Sequence, residues 1–391
     1  MRIIVSALMV GLLVWLVPRS LDQRLIRYRP DVVQERGPEA WDDFPGVLYH
    51  FGKQALVEGR LDEAAELLDR VLSLNVAHVD AWLRRAEVAA ARGDRDLARQ
   101  MLRMVAGLTP DVLRWKWEQA LLARDLGLEG LFWDALNTLI QQDRQVNDAL
   151  WLMEAHEKGD AEKVLAQLDP ENREAYLGWL MRWRRAEDAV LVWQALDPGR
   201  RDDESLRLSF IHFLIRNDKM DMARELREEE GITNSGFEES LTRKGFDWRY
   251  SDREDAWRIR QVSAPVYSGR KALEVRFSDK ANSHFRHVYQ LVPVTPGKGY
   301  RLRYWWKSHR ITTDQGVFVE VRGRGCRGLY EKGPMILGTE DWQQVDLEFE
   351  VPEACDTVLV RLRRKPSGRF DNKINGVLWL DDFVLEPLEN P

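Results

Sequence analysis

The side chains that could carry acid–base or metal chemistry show no recognisable spacing along this chain. Acid–base cleavage of a glycoside needs two carboxyl groups about 5 to 10 Å apart, and no motif places two of the 64 Asp and Glu residues together. His50, His78, His156 and His212 lack metal-ligand spacing. The chain also lacks a nucleophile elbow, a P-loop and an H-E-x-x-H pattern. We therefore predict that the protein is not an enzyme, with a glycan-active enzyme as the alternative.

Composition limits the class of protein and its partners. The chain has 391 residues, enough for two or three domains at the usual domain size. A hydrophobic content of 44% with 16 Trp supplies packed cores. The net charge of −6 is spread over interspersed acids and bases, so there is no one-signed field of the kind that nucleic acids require. We predict no nucleic-acid partner.

A repeat with a period of 34 residues runs through the middle of the chain. Gly59, Gly93 and Gly127 keep this step, and Ala64 and Ala98 share the same register. Such a period is typical of helical hairpins that bury their apolar faces by stacking on their neighbours. It predicts an α-solenoid over residues 45–230, with about five or six hairpins.

The second repeat unit shows the pattern most clearly. Its diagnostic positions are Trp82, Ala86, Gly93-Asp94, Ala98 and Pro110. This unit and the first resemble the tetratricopeptide repeat, whereas the third departs from it by placing Phe132 where the second-helix Ala is expected. The resemblance implies a partner protein bound in the groove of the repeats.

The N-terminus carries an almost unbroken apolar run from Ile3 to Val17. Its length suits a signal-sequence core or a minimal membrane anchor. No small-residue cleavage pattern follows it, so we predict an uncleaved signal anchor or transmembrane helix at residues 1–18. Residues 19–44 contain Pro30 and Pro38, with Pro45 just beyond, and are predicted to be an extended linker.

The orientation of the anchor follows from two conflicting signals. Arginines cluster after the apolar run, which by the positive-inside rule would keep the body in the cytoplasm. Long domains can translocate despite such charges, and the C-terminal domain suits an extracytoplasmic site. We therefore predict a bacterial inner-membrane protein with a periplasmic body.

Alternation of period two dominates residues 231–391. It is clear in 272–277, 300–305 and 357–362. Short alternating segments separated by turns predict an antiparallel β-sandwich, a jelly roll. The fold class is thus a multidomain α + β chain. Cys326 and Cys355 both lie in this domain, and they either form a disulfide or stay too far apart to bond.

Motifs throughout this domain resemble a carbohydrate-binding module of the galactose-binding-like jelly-roll type. They are Asn234-Ser235-Gly236-Phe237-Glu238, Gly245-Phe246-Asp247-Trp248, Ser268 to Leu273, Val294 to Tyr300, Trp342, Val351-Pro352 and Trp379-Leu380-Asp381-Asp382. The resemblance implies a structural Ca²⁺ held by Glu238 with Asp381 or Asp382. Hydrogen bonding between the first and last strands is the alternative role for these carboxylates.

Glycan recognition combines an aromatic ring under the apolar sugar face with polar side chains at the hydroxyl groups. The candidate residues are Trp248, Tyr250, Trp257, Arg286, His287, Tyr289, Gln290, Trp306 and Tyr330. Trp305 and Trp306 are adjacent and must point to opposite faces of one strand. At most one of them can face the core.

The combined features predict a non-catalytic, membrane-anchored scaffold. In this hypothesis the repeats bind a protein and the sandwich binds a polysaccharide or a second protein. Chains resembling this combination are associated with bacterial exopolysaccharide or O-antigen assembly and export. An alternative is that the sandwich is only a structural cap of the helical array.

Overall fold

A computed structural model describes residues 24–227, 231–253, 256–278, 282, 284–369 and 372–388. The predicted membrane anchor at residues 1–18 lies outside these ranges. Within them, no helix combines the length and the apolar character needed to cross a membrane. The chain divides into two units, one ending at Leu196 and the other beginning at Asp197.

The extended conformation predicted for the linker is wrong. Residues 24–28 are helical, α1 spans Pro30–Arg36, and a 3₁₀ turn spans Pro38–Trp41. Proline opens both of the latter elements, because its fixed φ and missing N–H suit the first helical position. Val33 and Trp41 are buried in the core of the first repeat, so this segment is packed rather than extended.

The helical hairpins predicted from the 34-residue period are confirmed. The first unit contains five among its described residues. They are α2 (Pro45–Val57) with α3 (Leu61–Leu74), α4 (Val79–Ala91) with α5 (Arg95–Leu108), α6 (Leu113–Leu126) with α7 (Glu129–Gln141), α8 (Val146–His156) with α9 (Ala161–Gln167), and α10 (Arg173–Arg182) with α11 (Ala186–Ala195). A 3₁₀ turn, Pro170–Asn172, precedes α10.

The glycines at the 34-residue step end the first helix of each of the first three hairpins. Gly59, Gly93 and Gly127 have φ of +74°, +87° and +70°. This left-handed conformation is strained for residues with a Cβ atom. In the second hairpin, the Asp94 side chain then accepts the Leu97 N–H at 3.2 Å and caps α5. In this hairpin the turn and the cap therefore lie next to each other, whereas Arg60 and Leu128 at the equivalent positions provide no side-chain cap.

Buried polar side chains join later hairpins to one another. Asn172 donates to the backbone oxygen of Asn137 at 3.0 Å and to its side-chain oxygen at 2.9 Å. The Asn137 amide in turn donates to the Gln167 carbonyl at 3.0 Å. Both asparagines are buried, so the network replaces the water that these polar groups lose.

The second unit begins with three helices and continues into the sandwich. The helices are α12 (Pro198–Arg201), α13 (Glu204–Arg216) and α14 (Met220–Glu225). The strands are β1 (Arg249–Tyr250), β2 (Trp257–Val262), β3 (Ala272–Ser278), β4 (Phe285–Pro293), β5 (Gly299–Thr312), β6 (Phe318–Gly323), β7 (Tyr330–Lys332), β8 (Gly338–Glu350), β9 (Thr357–Arg364) and β10 (Asn375–Pro387).

The strands form two five-stranded antiparallel sheets. The first has the order β1-β4-β9-β6-β7 and the second the order β2-β3-β10-β5-β8. Inward-facing residues of both sheets make one apolar core, in which the Phe383 ring lies between Trp248 at 4.9 Å and Tyr304 at 5.2 Å. The predicted antiparallel sandwich is therefore confirmed.

The hairpin of α13 and α14 packs against the sandwich. Arg324 donates to the Ile215 carbonyl at 3.4 Å and lies 3.6 Å from the Asp218 carboxylate. Gly245, at φ +54°, lies where a Cβ atom would be 2.7 Å from Leu208 Cδ1. The sequence places the domain boundary at residue 230, but these contacts explain why the second unit starts at Asp197.

Candidate functional site

One row of side chains crosses all five strands of the first sheet on its outer face. Strand pairing aligns Arg249, Tyr289, Arg361, Glu320 and Lys332, which we call the central row. Their chain neighbours Val288, Val360 and Val321 lie in the core. Because side chains alternate along a strand, the central row points away from the core.

A second row runs beside the central row on the same face. It consists of Leu291, Leu359, Arg322 and Tyr330. Leu291 is buried, whereas the Tyr330 side chain is 49% exposed. The two rows together are called the outer face below. It combines an exposed tyrosine and exposed basic groups with buried and half-buried leucines, which is the composition of a polar-ligand site.

Glu320 is the acidic residue of the two rows, and its charge is compensated. It is only 1% exposed, and Arg361 Nε donates to Glu320 Oε1 at 2.7 Å. Arg363 Nε lies 3.5 Å from Oε2. A buried carboxylate of this kind needs such partners to offset its desolvation. Burial and then the Glu320 charge raise the pKa of the nearby Tyr330.

A cavity of about 470 Å³ adjoins the second row, between the end of α13 and the first sheet. Its polar and aromatic lining residues are Arg216, Asp218, Arg249, Tyr289, Arg322 and Arg324. Four arginines face one aspartate there. The cavity thus extends the basic character of the outer face.

The structure brings two of the predicted glycan-binding residues, Tyr289 and Tyr330, onto the outer face. The predictions for Trp248, Trp257 and Trp306 are wrong, because all three are buried in the core. Trp248, for example, packs 5.3 Å from Phe237 between ring centroids. Rings of this size bury the most apolar area when they fill the sandwich.

Gln290 is also buried and is not available to a ligand. Its side-chain oxygen accepts the Thr233 N–H at 3.1 Å, and its amide donates to the Thr233 carbonyl at 2.8 Å. The side chain points inward because Tyr289 beside it points outward. Gln290 therefore ties the start of the domain to β4.

The remaining three predicted residues lie apart from the two rows. The Tyr250 ring packs partly on the core under the Arg243 guanidinium, 3.7 Å from its centroid. The His287 ring stacks on Trp257 at 4.5 Å; burial, followed by nearby cations, lowers its pKa. Arg286 is exposed at the start of β4.

An aromatic cluster that the sequence analysis missed lies on the second sheet. The Tyr267 and Trp305 rings stack with centroids 3.7 Å apart, and Trp342 lies 5.9 Å from Tyr267. Tyr267 is 39% exposed. Alternation along β5 already directed either Trp305 or Trp306 outward, and this signal could have identified Trp305.

The carboxylates predicted to hold calcium have other partners. Glu238 Oε1 accepts the N–H groups of Arg270 at 2.7 Å and Lys271 at 2.9 Å. Asp381 Oδ2 accepts the Tyr267 N–H at 2.9 Å, and its other oxygen accepts the Asp382 N–H at 2.8 Å.

These hydrogen bonds fix the positions of the Glu238 and Asp381 carboxylates. No group of three or more His, Cys, Asp or Glu residues in the described ranges is arranged to hold a metal ion. Ca²⁺ takes six to eight oxygen ligands, and the three carboxylates Glu238, Asp381 and Asp382 do not form such a shell. In addition, the Phe383 N–H donates to the Ser235 carbonyl at 3.0 Å, so the two ends of the domain are hydrogen-bonded.

Cys326 and Cys355 are paired as a disulfide. Their Cα atoms are 5.4 Å apart, within the usual range. The bond joins the loop after β6 to the loop before β9. The sequence allowed either a disulfide or two cysteines too far apart to bond, and the structure shows the disulfide.

Two tryptophans are exposed on the repeats. Trp151 on α8 is 61% exposed and Trp183 at the end of α10 is 62% exposed. Their helices are in neighbouring hairpins, where Arg182 donates to the Asn147 side chain at 3.1 Å. Exposed tryptophans are typical anchors of protein interfaces.

Comparison with known proteins assigns the repeats. Residues 55–124 match the tetratricopeptide repeat family model, and the resemblance predicted for this region is confirmed. No curated protein matches the chain.

Solved structures similar to this chain include carbohydrate-binding modules. One is the C-terminal family 22 module of Clostridium thermocellum Xyn10B, at 12% identity and TM-score 0.29, covering 39% of this chain and 89% of that chain. Another is the CBM22-1 xylan-binding domain of Paenibacillus barcinonensis Xyn10C, at 12% identity and TM-score 0.28, covering 40% and 94%. A putative sugar-binding protein from Bacteroides thetaiotaomicron has 12% identity and TM-score 0.30, covering 41% and 100%.

Proposed function

We propose that this protein is a non-catalytic, membrane-anchored scaffold of bacterial polysaccharide assembly or export. In this proposal the repeats bind a partner protein, and the outer face of the first sheet binds a glycan. The observation that carries it is the placement of two tyrosines and several cations on one face. Tyr289 is aligned with Arg361 in the central row, and the exposed Tyr330 lies in the second row.

The outer face supports glycan binding through its mixture of groups. Tyr289 and Tyr330 offer rings for the apolar face of a sugar, and Arg322 offers several donors to hydroxyl or carboxylate oxygens. The same face argues against hydrolysis. Within the two rows Glu320 is the acidic residue and is already bound by two arginines, whereas glycoside hydrolysis needs two carboxyl groups.

Binding to a glycan array tests the proposal on the full chain. We expect at least one polysaccharide to bind, and Tyr330→Ala to weaken it by about tenfold, the effect of one lost stacking contact. Tyr28→Ala is the matched control, because Tyr28 is an exposed tyrosine of the other unit. Equal binding by both variants, or no bound glycan, would contradict the proposed site.

The repeats support protein binding through Trp151 and Trp183. Co-purification with crosslinking should recover a partner of the wild-type chain, and Trp151→Ala with Trp183→Ala should reduce its recovery at unchanged helix content. Val57→Ala, at another exposed apolar position on the repeats, is the control. Recovery that is insensitive to both tryptophans would place the partner elsewhere.

The anchor and the periplasmic location rest on the apolar run of residues 3–17 and on the disulfide. Disulfides persist mainly in oxidising compartments such as the periplasm. Protease added to spheroplasts should degrade the body of the protein, leaving a cytoplasmic control intact. Protection of the body would contradict the periplasmic location.

A second function, a structural cap, is favoured by the packing of the last hairpin on the sandwich. The Arg324 guanidinium donates a hydrogen bond to the Ile215 carbonyl, near the C-terminal end of α13. If the sandwich serves only as a cap, Arg324→Ala will destabilise this hairpin, and Tyr330→Ala will not change the binding of any ligand. Loss of glycan binding in the Tyr330→Ala variant would support the glycan-binding function over the structural cap.

A further inference from the structure

We propose that the glycan bound on the outer face is acidic, a polysaccharide bearing carboxylate or a similar anionic group on its sugar rings. This inference rests on the proposed glycan-binding function and adds the chemical class of the ligand. It is based on the distribution of charge over the first sheet and the cavity beside it.

The outer face is strongly basic although the whole chain carries a net charge of −6. The two rows contain the basic residues Arg249, Arg322, Lys332 and Arg361, with Glu320 as their acidic member. Arg363 adds a further positive charge beside Glu320. One carboxylate therefore faces five cations, and an excess of positive charge remains.

Three of these cations have no internal counter-ion. Arg361 and Arg363 pair with Glu320, but Arg249, Arg322 and Lys332 form no ion pair with any carboxylate in the described part of the chain. Arg322 and Lys332 are exposed. Between β5 and β8 of the second sheet, basic residues are paired across the strands: Arg301 with Glu348 at 2.6 Å and Arg303 with Asp346 at 2.9 Å. On the outer face, by contrast, three unpaired cations share one surface with Arg361 and Arg363.

The cavity next to the second row continues the same charge pattern. Its arginines at 216, 249, 322 and 324 face the single carboxylate of Asp218. Arg324 takes up this carboxylate at 3.6 Å, and the Nε of Arg249 is buried without a hydrogen-bond partner. A guanidinium presents donors that fit a carboxylate with two parallel hydrogen bonds.

His284 lies near the same cations. Burial and then Arg363, Arg286 and Arg361 lower the pKa of His284. Nearby cations disfavour a protonated imidazole for the same reason that they favour a bound anion. The shift agrees with the geometry of the face.

Aromatic rings among the cations favour a sugar over an acidic peptide. Tyr289 lies between Arg249 and Arg361 in the central row, and Tyr330 lies opposite Arg322. An acidic sugar presents a C–H face to such a ring and its anionic group to the neighbouring guanidinium. An acidic peptide would use the charges but would not need the alternation of ring and cation.

The test compares acidic and neutral polysaccharides on the full chain. The acidic probes are polygalacturonate, alginate and hyaluronan; the neutral ones are galactan and xylan, and poly-L-glutamate represents an acidic peptide. We expect at least one acidic polysaccharide to bind about tenfold more tightly than the neutral ones, and its affinity to fall between about 0.05 M and 0.5 M salt.

Two double variants with equal charge change locate the site. Arg322→Gln with Lys332→Gln should weaken acidic-polysaccharide binding by about tenfold or more. Arg258→Gln with Arg276→Gln removes two exposed cations from the second sheet and should leave it unchanged. The salt dependence of the wild-type chain provides a test that needs no variant.

Each contrary result has a distinct meaning. Equal, salt-independent binding of galactan or xylan would overturn the acidic class and leave glycan binding standing. If poly-L-glutamate binds as tightly as every acidic polysaccharide, the ligand is not specifically a sugar, and the result would indicate an acidic protein instead. If no polysaccharide binds, both this inference and the proposed glycan-binding function fail.

Discussion

Trp305 and Trp306 are neighbours in β5 and serve opposite sides of the second sheet. Trp306 is buried in the sandwich core, whereas the Trp305 ring stacks on Tyr267 with centroids 3.7 Å apart. The alternation of side chains along a strand assigns one indole to packing and the other to the surface.

Trp306→Ala is expected to destabilise the sandwich far more than Trp305→Ala. Truncation of a buried indole costs about 3 to 5 kcal/mol, whereas an aromatic pair is worth about 1 kcal/mol beyond its buried area. Urea unfolding followed by near-ultraviolet circular dichroism measures both. Equal losses for the two variants would show that the two rings do not differ in burial.

The two tryptophans also show what the sequence can and cannot predict. Alternation reveals that they point apart, and Trp305 shares the outward phase of Arg301 and Arg303. It does not reveal that Tyr267 stacks on Trp305, because Tyr267 comes from a loop far away in the chain. The repeats were easier to predict, since Gly93 and its equivalents mark turns by local conformation alone. The proline-containing linker was predicted incorrectly because Pro30 and Pro38 open helical turns instead of breaking them.

The position of the last hairpin was beyond local reasoning as well. Its placement depends on the contact of Leu208 with Gly245 and on the bond from Arg324 to Ile215, which join residues far apart in the chain. The central row of the outer face has the same origin. Its members come from five strands, and only strand register brings them together.

Glu154→Ala is expected to destabilise the repeats by about 3 kcal/mol, the lower end for breaking a buried ion pair. The Glu154 carboxylate is buried, accepts the Tyr176 hydroxyl and pairs with Arg185 at 2.5 Å. Asp188 binds the same guanidinium at 2.6 Å from a more exposed position, so Asp188→Ala should cost about 1 kcal/mol or less. Urea unfolding followed at 222 nm gives both values, and a larger loss for Asp188→Ala would contradict this assignment.

Removal of calcium is expected to leave the melting temperature of the sandwich unchanged. The Glu238 carboxylate is bound by the Arg270 and Lys271 N–H groups, which are the main cause of its lowered pKa. Glu238→Ala should lower the melting temperature, since those N–H groups lose their acceptor, and added calcium should not restore it. A stabilising shift with millimolar calcium that Glu238→Ala abolishes would instead support the predicted metal site.

The stability of the second unit is expected to fall as the pH drops from about 6.5 to about 4. Burial, followed by the charges of Arg249, Arg216 and Lys244, lowers the pKa of His212 on α13 from 6.5 to about 4, and its Nδ1 atom is buried without a hydrogen-bond partner. In this interval the unfolded chain binds a proton that the folded chain does not. The free energy of unfolding therefore decreases with falling pH and levels off below the folded pKa.

His212→Gln should flatten this dependence, because glutamine does not titrate. Urea unfolding of the wild-type and variant chains at several pH values gives the two slopes, and their difference isolates His212 from the other histidines. His50→Gln is the control, since His50 lies on α2 of the first unit. Parallel slopes for the wild-type and His212→Gln chains would mean that His212 titrates alike in the folded and unfolded states.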